Sequence, residues 1–162
     1  MANHLPPAEL TYEDLSVGRL LRTGTVEVTR EEMLAFSARY DPQPFHLEEA
    51  AGRASVFGGM SASGWFTAAL TMRLMILGEF KIRGGAVGLG VEAIRWPRPV
   101  HVGDQLTAVT EVAAMRVSAS KPAFGVVKFV TTTTNQRGEV VMTKTVNVLV
   151  PRRTVPSRAS PG

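Results

Sequence analysis

The second half of the chain alternates between apolar and polar residues with a period of two. Valine and threonine are frequent in the alternating stretches, which cover residues 86–96, 105–117, 124–134 and 139–150. This period places successive side chains on opposite faces of a strand, and β-branched residues favour strands. Gln136-Arg137-Gly138 is typical of a turn between the last two stretches. The pattern therefore predicts four antiparallel strands that include a C-terminal hairpin.

The first part of the chain carries helical signals. Residues 24–29 alternate like a further strand, and Thr29 with Glu32 then has the spacing of a capping box. The box predicts a helix that ends near Tyr40, because a proline follows two residues later. Residues 41–46 contain two prolines and are predicted to be extended and conformationally restricted.

The longest helix is predicted from about Met60 to Leu77, after a short helix that ends at Gly52. Apolar residues cover nearly every side of the long helix, which is typical of a helix inside a domain. One buried helix followed by four antiparallel strands predicts an α+β fold. One helix face cannot cover four strands, so the sheet must curve around the helix, which is the hot-dog architecture. Such a sheet has edge strands that usually find a partner, so we expect a homodimer.

The length indicates one domain with short tails. A chain of 162 residues is long enough to bury a sizeable core. We predict an N-terminal tail over residues 1–14, the domain over residues 15–150, and a disordered tail rich in Pro, Ser and Arg over residues 151–162. The sequence has no Cys, which excludes disulfides, thiolate metal sites and a Cys nucleophile.

The net charge of +4 and the pI near 10.0 would suit a nucleic-acid binder. Arg152, Arg153 and Arg158 lie in the predicted C-terminal tail, however, and without them the net charge is +1. We therefore predict no nucleic-acid partner, although weak attraction for a phosphorylated ligand such as coenzyme A is compatible with this charge. Basic residues that could reach its phosphates, or simply be solvated at strand ends, are Arg95, Arg98 and Lys121.

The chain shows no signal for a membrane. Its most apolar stretch is too short to span a bilayer, and its first residues lack the apolar run of a signal peptide. We therefore expect a soluble, cytoplasmic protein with no membrane partner.

The segment Asp41-Pro42-Gln43-Pro44-Phe45-His46 places an acid and an imidazole five residues apart on a restricted backbone. Gly58 and Gly59 follow at the predicted start of the long helix. Addition of water to a 2-enoyl thioester needs a base for the water, a proton donor for the α-carbon and a stabilised enolate oxygen. An imidazole exchanges protons near neutral pH, and a carboxylate can orient the water. Glycines at a helix N-terminus let a thioester carbonyl approach free N–H groups.

The motif Asp41-x-Gln43-Pro44-x-His46 resembles the D-x-N-P-x-H signature of the MaoC dehydratase and R-specific enoyl-CoA hydratase family. GGMSASGWFTAALTMRLM and RWPRPVHVGDQL follow in the family's order, and the resemblance spans roughly residues 15–150. It implies a hot-dog fold and a dimer or dimer of dimers. It also implies a substrate that is an acyl-CoA, or sometimes a carrier-protein thioester, and formation of the (R)-3-hydroxyacyl product.

The resemblance further implies roles for individual residues. Asp41 and His46 would be the catalytic pair, and a backbone N–H near Gly59 would bind the oxyanion. Coenzyme A enters only as part of the substrate, so no cofactor is predicted. Gln43 departs from the commoner Asn and displaces the amide by one methylene, which affects geometry and substrate choice more than the reaction class.

Other readings of the same residues stay open. Gly58 and Gly59 could simply form a tight turn, and Gln43 could brace the loop without touching substrate. A hot-dog thioesterase is an alternative function, but no Asp or Glu occurs from Arg53 to Gly78, where many such enzymes carry a carboxylate. A non-catalytic acyl-CoA-binding subunit is the other alternative, and retention of both Asp41 and His46 argues against it.

A metal site is not predicted. His46 is close in sequence to Glu48 and Glu49, but the other imidazoles, His4 and His101, are in a predicted tail and a loop. No set of ligands has the spacing that a metal requires.

Overall fold

The computed structural model describes residues 9–153, which form a five-stranded sheet and a set of helices. A short 3₁₀ helix precedes the first strand. In chain order the elements are the 3₁₀ helix Tyr12–Asp14, β1 Leu20–Glu27, α1 Arg30–Tyr40, α2 Pro44–Leu47, α3 Glu49–Ala54, α4 Gly64–Leu77, β2 Val87–Arg95, β3 Gln105–Val117, β4 Phe124–Thr134 and β5 Val140–Pro151.

The sheet is antiparallel throughout, with the strand order β1-β3-β4-β5-β2. The predicted C-terminal hairpin is present, because β4 pairs with β5. Each of the four strands predicted in the second half lies within one residue of its observed bounds. The strand predicted at residues 24–29 begins earlier, at Leu20, where β1 pairs with β3. The strands β1 and β2 form the two edges of the sheet.

Helix α4 packs on one face of the curved sheet, which confirms the α+β fold with a hot-dog arrangement. Two groups of buried side chains hold it there. Near the start of α4, Phe66 and Leu70 pack with Leu106 of β3. Near its end, Met75 packs with Phe129 of β4.

The prediction that the long helix is buried on all sides is wrong for the single chain. Trp65 is 60% exposed, and Met72 and Ile76 are also exposed on the same side of α4. The sheet covers only the opposite side, so an apolar stripe of α4 remains open.

The prediction that the long helix begins near Met60 is also wrong. It begins at Gly64, because the hydroxyl oxygen of Ser63 accepts a hydrogen bond from the Trp65 backbone N–H and caps the helix. Before this cap the chain is extended: Ser61 bridges to His101, and Ala62 donates its N–H to the Val100 carbonyl.

The helices before α4 follow the local signals only in part. The Thr29 hydroxyl accepts a hydrogen bond from the Glu32 N–H, so the predicted cap of α1 is confirmed. The proline-containing segment is extended only up to Gln43, because Pro44 occupies the first position of α2, where its missing N–H costs nothing. Helix α3 runs to Ala54, two residues beyond the predicted end.

The predicted boundaries of the domain need correction at both ends. Leu10 is buried in the core and forms a bridge with Ile82, so residues 9–14 belong to the domain and not to a tail. At the other end, the Arg153 backbone N–H donates to a Glu13 carboxylate oxygen at 2.8 Å, and the Arg153 side chain pairs with Asp14. The rest of the two predicted tails, residues 1–8 and 154–162, lies outside the described residues.

Across residues 9–153, none of the helices combines the length and the apolar character that a membrane crossing requires.

Candidate active site

Asp41 and His46 are brought together by the break between two helices. Asp41 is the residue at which α1 ends, and His46 lies in the single turn of α2. Pro44 at the start of α2 fixes the backbone between them. The His46 Nε2 atom lies 3.3 Å from Oδ2 of Asp41. The structure thus brings the two predicted residues into direct contact.

The orientation of the His46 ring is fixed by its second nitrogen. Nδ1 lies 2.7 Å from the backbone carbonyl oxygen of Ser61, and the ring is 5% exposed. A carbonyl oxygen only accepts hydrogen bonds, so Nδ1 carries a hydrogen and donates it. In the neutral imidazole the free lone pair is therefore on Nε2, the atom that faces Asp41.

Both carboxylate oxygens of Asp41 are held. The Ser63 hydroxyl donates to Oδ2 at 2.6 Å, and the Gln43 side-chain amide donates to Oδ1 at 2.7 Å. Burial raises the pKa of Asp41, but the hydrogen bonds from Ser63 and Gln43 and the attraction of His46 lower it by more. The net result is a pKa below 3.8, so the carboxylate is ionised at neutral pH.

A cavity of about 540 Å³ opens beside this pair, within the size range of small-molecule sites. Asp41 and His46 line it together with Gly64, the first residue of α4. The Gly64 N–H has no acceptor among residues 9–153, as is usual for the first turn of a helix. Apolar and aromatic walls complete the cavity and are formed by Phe45, Phe57, Trp65, Trp96 and Val100.

Gly64 also allows the cavity wall to close over the helix start. A Cβ atom built on Gly64 would lie 2.8 Å from the Trp96 indole, closer than such contacts occur. Trp96 in turn meets the Trp65 ring edge to face, with centroids 5.3 Å apart. A residue without a side chain is therefore needed at position 64 for this packing.

Comparison with known proteins matches residues 16–144 to the family described as FAS1-like, dehydratase domain region. The chain is 44% identical to a MaoC-like dehydratase from Rhodospirillum rubrum, and the two structures superpose with a TM-score of 0.86 over 90% of this chain and 99% of that one. The chain belongs to the MaoC-like hot-dog family.

The chain is also similar to two other proteins at lower identity. An (R)-hydratase from A. caviae involved in PHA biosynthesis is 28% identical, with a TM-score of 0.70 over 86% of this chain and 99% of that one. An uncharacterized Bacillus subtilis protein, YdeM, is 24% identical over 88% of this chain and 100% of its own length. Of these three relatives, the Rhodospirillum rubrum protein is named as a dehydratase and the A. caviae protein as a hydratase.

The two glycines predicted to bind an oxyanion do not line the cavity beside the pair. Gly58 has a φ of 67° and forms a turn in which its N–H donates to the Ser55 carbonyl. Gly59 faces the His101 ring and does not line the cavity. The placement of both at the helix N-terminus is wrong, because α4 begins at Gly64. Gln43 lines the cavity but uses its amide on Asp41.

Three residues at the site were missed from the sequence. Ser63 holds Asp41, Ser61 anchors His46 through its carbonyl, and Gly64 offers a free N–H. Ser63-Gly64 before an apolar run carried a signal, since Ser is a preferred N-cap residue. The hydrogen bond from His46 to Ser61 could not be predicted from the sequence, because it uses the backbone carbonyl, which every residue has.

Charged groups beyond the pair are few at the cavity. Arg98 lines it, whereas Lys121 lines a different surface pocket and Arg95 lines neither. Within residues 9–153, no three His, Asp, Glu or Cys side chains are grouped so that they could hold a metal ion.

Proposed function

We propose that this protein adds water to, or removes it from, a 2-enoyl thioester, interconverting trans-2-enoyl-CoA and (R)-3-hydroxyacyl-CoA. The observation that carries the proposal is the oriented pair: Nε2 of His46 faces the ionised carboxylate of Asp41 at 3.3 Å, at the open start of α4. Hydration needs two groups that exchange protons at adjacent carbons, and this pair supplies both from one side of a cavity.

In the hydration direction, the pair of Asp41 and His46 orients a water molecule and takes one of its protons. The water oxygen then bonds to the β-carbon while the electrons of the double bond move toward the thioester carbonyl. The pair returns the proton to the α-carbon as the enolate collapses. Dehydration is the same sequence in reverse, so the site serves both directions.

The enolate oxygen needs a donor, and the Gly64 N–H is the best-placed candidate. Gly64 lines the cavity, its N–H has no acceptor among residues 9–153, and it lies at the positive end of the α4 dipole. We therefore assign the oxyanion role to Gly64 in place of Gly59. Arg98 at the same cavity suits the phosphates of coenzyme A.

The assembly that we propose is a homodimer, alone or paired into a dimer of dimers, in the cytoplasm. Strand β2 is a sheet edge, and its Val87, Leu89 and Val91 side chains are more than half exposed. An open apolar edge favours pairing with a second copy. Light scattering on the eluted protein should give about twice the 17.5 kDa of one chain for a dimer, or about four times that mass for a dimer of dimers. A mass of one chain would contradict the dimer.

A thioesterase is the nearest alternative, because a carboxylate could also activate water against the thioester carbonyl. Two serines are close to the pair, but neither is placed to act as a nucleophile. The Ser61 hydroxyl lies 3.5 Å from Nδ1, which already donates to a carbonyl, and the Ser63 hydroxyl donates to Asp41. A non-catalytic acyl-CoA-binding subunit would not need this arrangement.

The test is to follow the conjugated enoyl absorbance of crotonyl-CoA and trans-2-octenoyl-CoA together with the release of free thiol. We expect the wild type to remove the enoyl absorbance without releasing thiol. His46→Asn should lower that rate by about 10²–10⁴-fold, the usual contribution of one positioned acid–base group. His101→Asn is the matched control, since that ring is outside the cavity.

Two results would contradict the proposal. Thiol release that matches the loss of substrate would favour the thioesterase. Tight binding of acyl-CoA without any turnover, unchanged in Asp41→Asn, would favour the binding subunit.

A further inference from the structure

A second cavity lies along the far half of α4. It has a volume of about 340 Å³ and separates α4 from the edge strand β2. Its walls are almost entirely apolar, and we call it the apolar groove. Its principal lining residues are Met72, Met75, Ile76, Phe80, Val146 and Val148.

One charged residue lines this groove. Lys144 lies on β5, where its residue-wide exposure is only 6%. The period of the strand places it on the inner face with Met142 and Val148, which are also buried. No carboxylate, hydroxyl or carbonyl of residues 9–153 pairs with its ammonium group, and burial alone lowers its pKa.

The Lys144 nitrogen is not among the fully enclosed side-chain atoms of residues 9–153 that lack a hydrogen-bond partner, so its ammonium group keeps access to the groove that Lys144 lines. Buried charges are normally paired, because taking a charge out of water is costly. Other buried polar residues between α4 and the sheet do pair: the hydroxyls of Thr71 on α4 and Thr133 on β4 lie 2.9 Å apart, and the Thr131 hydroxyl contacts the Met75 sulfur. Lys144 makes no such contact within residues 9–153, so its ammonium group is free to meet an anionic group that enters the groove.

The groove and the catalytic cavity lie along the same side of α4. Trp65 at the cavity and Met72 and Ile76 at the groove are separated by nearly whole helical turns. Both cavities also follow β2, one beside Trp96 just after the strand and the other beside Gly88 and Gly90 within it. From Gly64 to Met72 the distance along the helix is about 12 Å.

We propose that Lys144 binds a carboxylate at the far end of the acyl chain, so that the preferred substrate is a medium-length enoyl thioester with a carboxylated tail. The proposal rests on the proposed function, because the thioester end is taken to lie at Asp41 and His46. The apolar part of the chain then runs between α4 and β2. The carboxylate pairs with the ammonium group of Lys144 in the groove.

The chemistry of the groove favours this occupant over other anions. Apolar walls with a single cation complement an apolar chain that ends in a single anion. A phosphorylated group would bring further charges and polar atoms that the walls could not pair. A plain alkyl chain would fill the walls but leave Lys144 unpaired.

The experiment compares ligands that differ only at the tail. Calorimetric titration of wild type with suberoyl-CoA and octanoyl-CoA measures binding without turnover. Hydration of trans-2-octenoyl-CoA and of its analogue with a terminal carboxylate measures turnover. We expect the carboxylated member of each pair to be favoured at least about tenfold, because charge-assisted hydrogen bonds in a water-excluded site are strong.

Lys144→Met, which keeps an unbranched side chain one atom shorter and removes its charge, should reverse the preference in both measurements. Lys128→Met is the control, since Lys128 is paired with Glu92 and lies outside the groove. Equal affinities in the wild type would overturn the proposal, as would a preference that survives Lys144→Met; the wild-type comparison needs no variant to fold. A carboxylate preference in binding without hydration of any enoyl-CoA would instead overturn the proposed function alone.

Discussion

The two cavities along α4 differ in how their polar groups are satisfied. At the start of the helix, both oxygens of Asp41 accept hydrogen bonds and Nδ1 of His46 donates one within the chain, which fixes Nε2 beside the carboxylate. At the far end, the ammonium group of Lys144 has none among residues 9–153. The same helix therefore carries one site whose geometry is set by the protein and one whose charge is left to be met by a ligand.

The difference between the catalytic cavity and the apolar groove indicates how each of them contributes to function. A pair held by several hydrogen bonds keeps its orientation before substrate arrives, which lowers the reorganisation needed during reaction. A charge without a partner in a largely apolar cavity destabilises the free protein, and it strengthens the binding of a ligand that carries the opposite charge. Substitutions should accordingly lower the rate at the first end, whereas at the second they should change selectivity and raise stability.

The largest effect away from the pair itself is expected at Ser63. Ser63→Ala removes the donor to Oδ2 of Asp41 and the cap of α4. We expect kcat/KM for hydration to fall at least about tenfold, the size of one hydrogen bond to a charged group. Loss of that bond also raises the pKa of Asp41, so the acid limb of the pH–rate profile should move to higher pH.

Ser63→Thr is the matched control, since it retains a hydroxyl and a good N-cap. It should keep most of the activity and leave the acid limb in place. A Ser63→Ala enzyme with an unchanged pH profile would show that Ser63 serves the helix and not the carboxylate.

A smaller effect of opposite sign is expected for stability at the groove. Lys144→Met should raise the free energy of unfolding by about 0.5–1 kcal/mol, less than the cost of a fully enclosed polar group, because the ammonium group is only partly desolvated. Chemical denaturation at neutral pH measures it, with Lys128→Met as the reference. A loss of stability in Lys144→Met would mean that the ammonium group is well satisfied, and would remove the contrast between the two cavities.

The same lysine gives a pH dependence whose sign is fixed. The pKa of Lys144 is lowered in the folded chain, while in the unfolded chain it returns to its ordinary value of 10.5. Between these values the unfolded chain binds more protons, so wild-type stability rises with pH over that window. The other residues that line the groove carry no titratable side chain. The slope should be smaller in Lys144→Met, and equal slopes would contradict the assignment.

Much of the fold could be predicted because the strands of the sheet have a clear alternation of apolar and polar residues in the sequence. Strands β3 and β4 each have one face on the core and one face outside, which enforces the period of two, whereas β2 alternates in sequence although nearly all of it is exposed in the single chain. The start of α4 was misplaced because Met60 and Ala62 lie in an extended segment that is itself buried. Apolar character alone does not distinguish a buried extended segment from a buried helix.

The sequence predicted the catalytic pair but not the residues that hold the pair in place. Asp41 and His46 share a short, proline-restricted segment, so their proximity followed from local sequence. The contacts to Ser61 and Ser63 depend on how the chain returns to α4, which no local pattern records. The open side of α4 was taken as core, because apolar residues look the same whether they face a core, a ligand or a second chain.

Lys144 could have been noticed from the sequence. Its position in β5, two residues after Met142 and two before Val146, puts it on the inner face of the strand. What the sequence could not supply was the absence of a partner, since that depends on the packing of α4 against the sheet.

The central claim is that Asp41 and His46 act as one catalytic unit, and a double-mutant cycle on hydration tests it most directly. The rates of Asp41→Asn, His46→Asn and the double variant would be measured with one enoyl-CoA. We predict that each single variant loses about 10²–10⁴-fold and that the double variant is no slower than the slower single one, since groups that act together are not additive. Losses that multiply, or single variants as fast as the wild type, would contradict it.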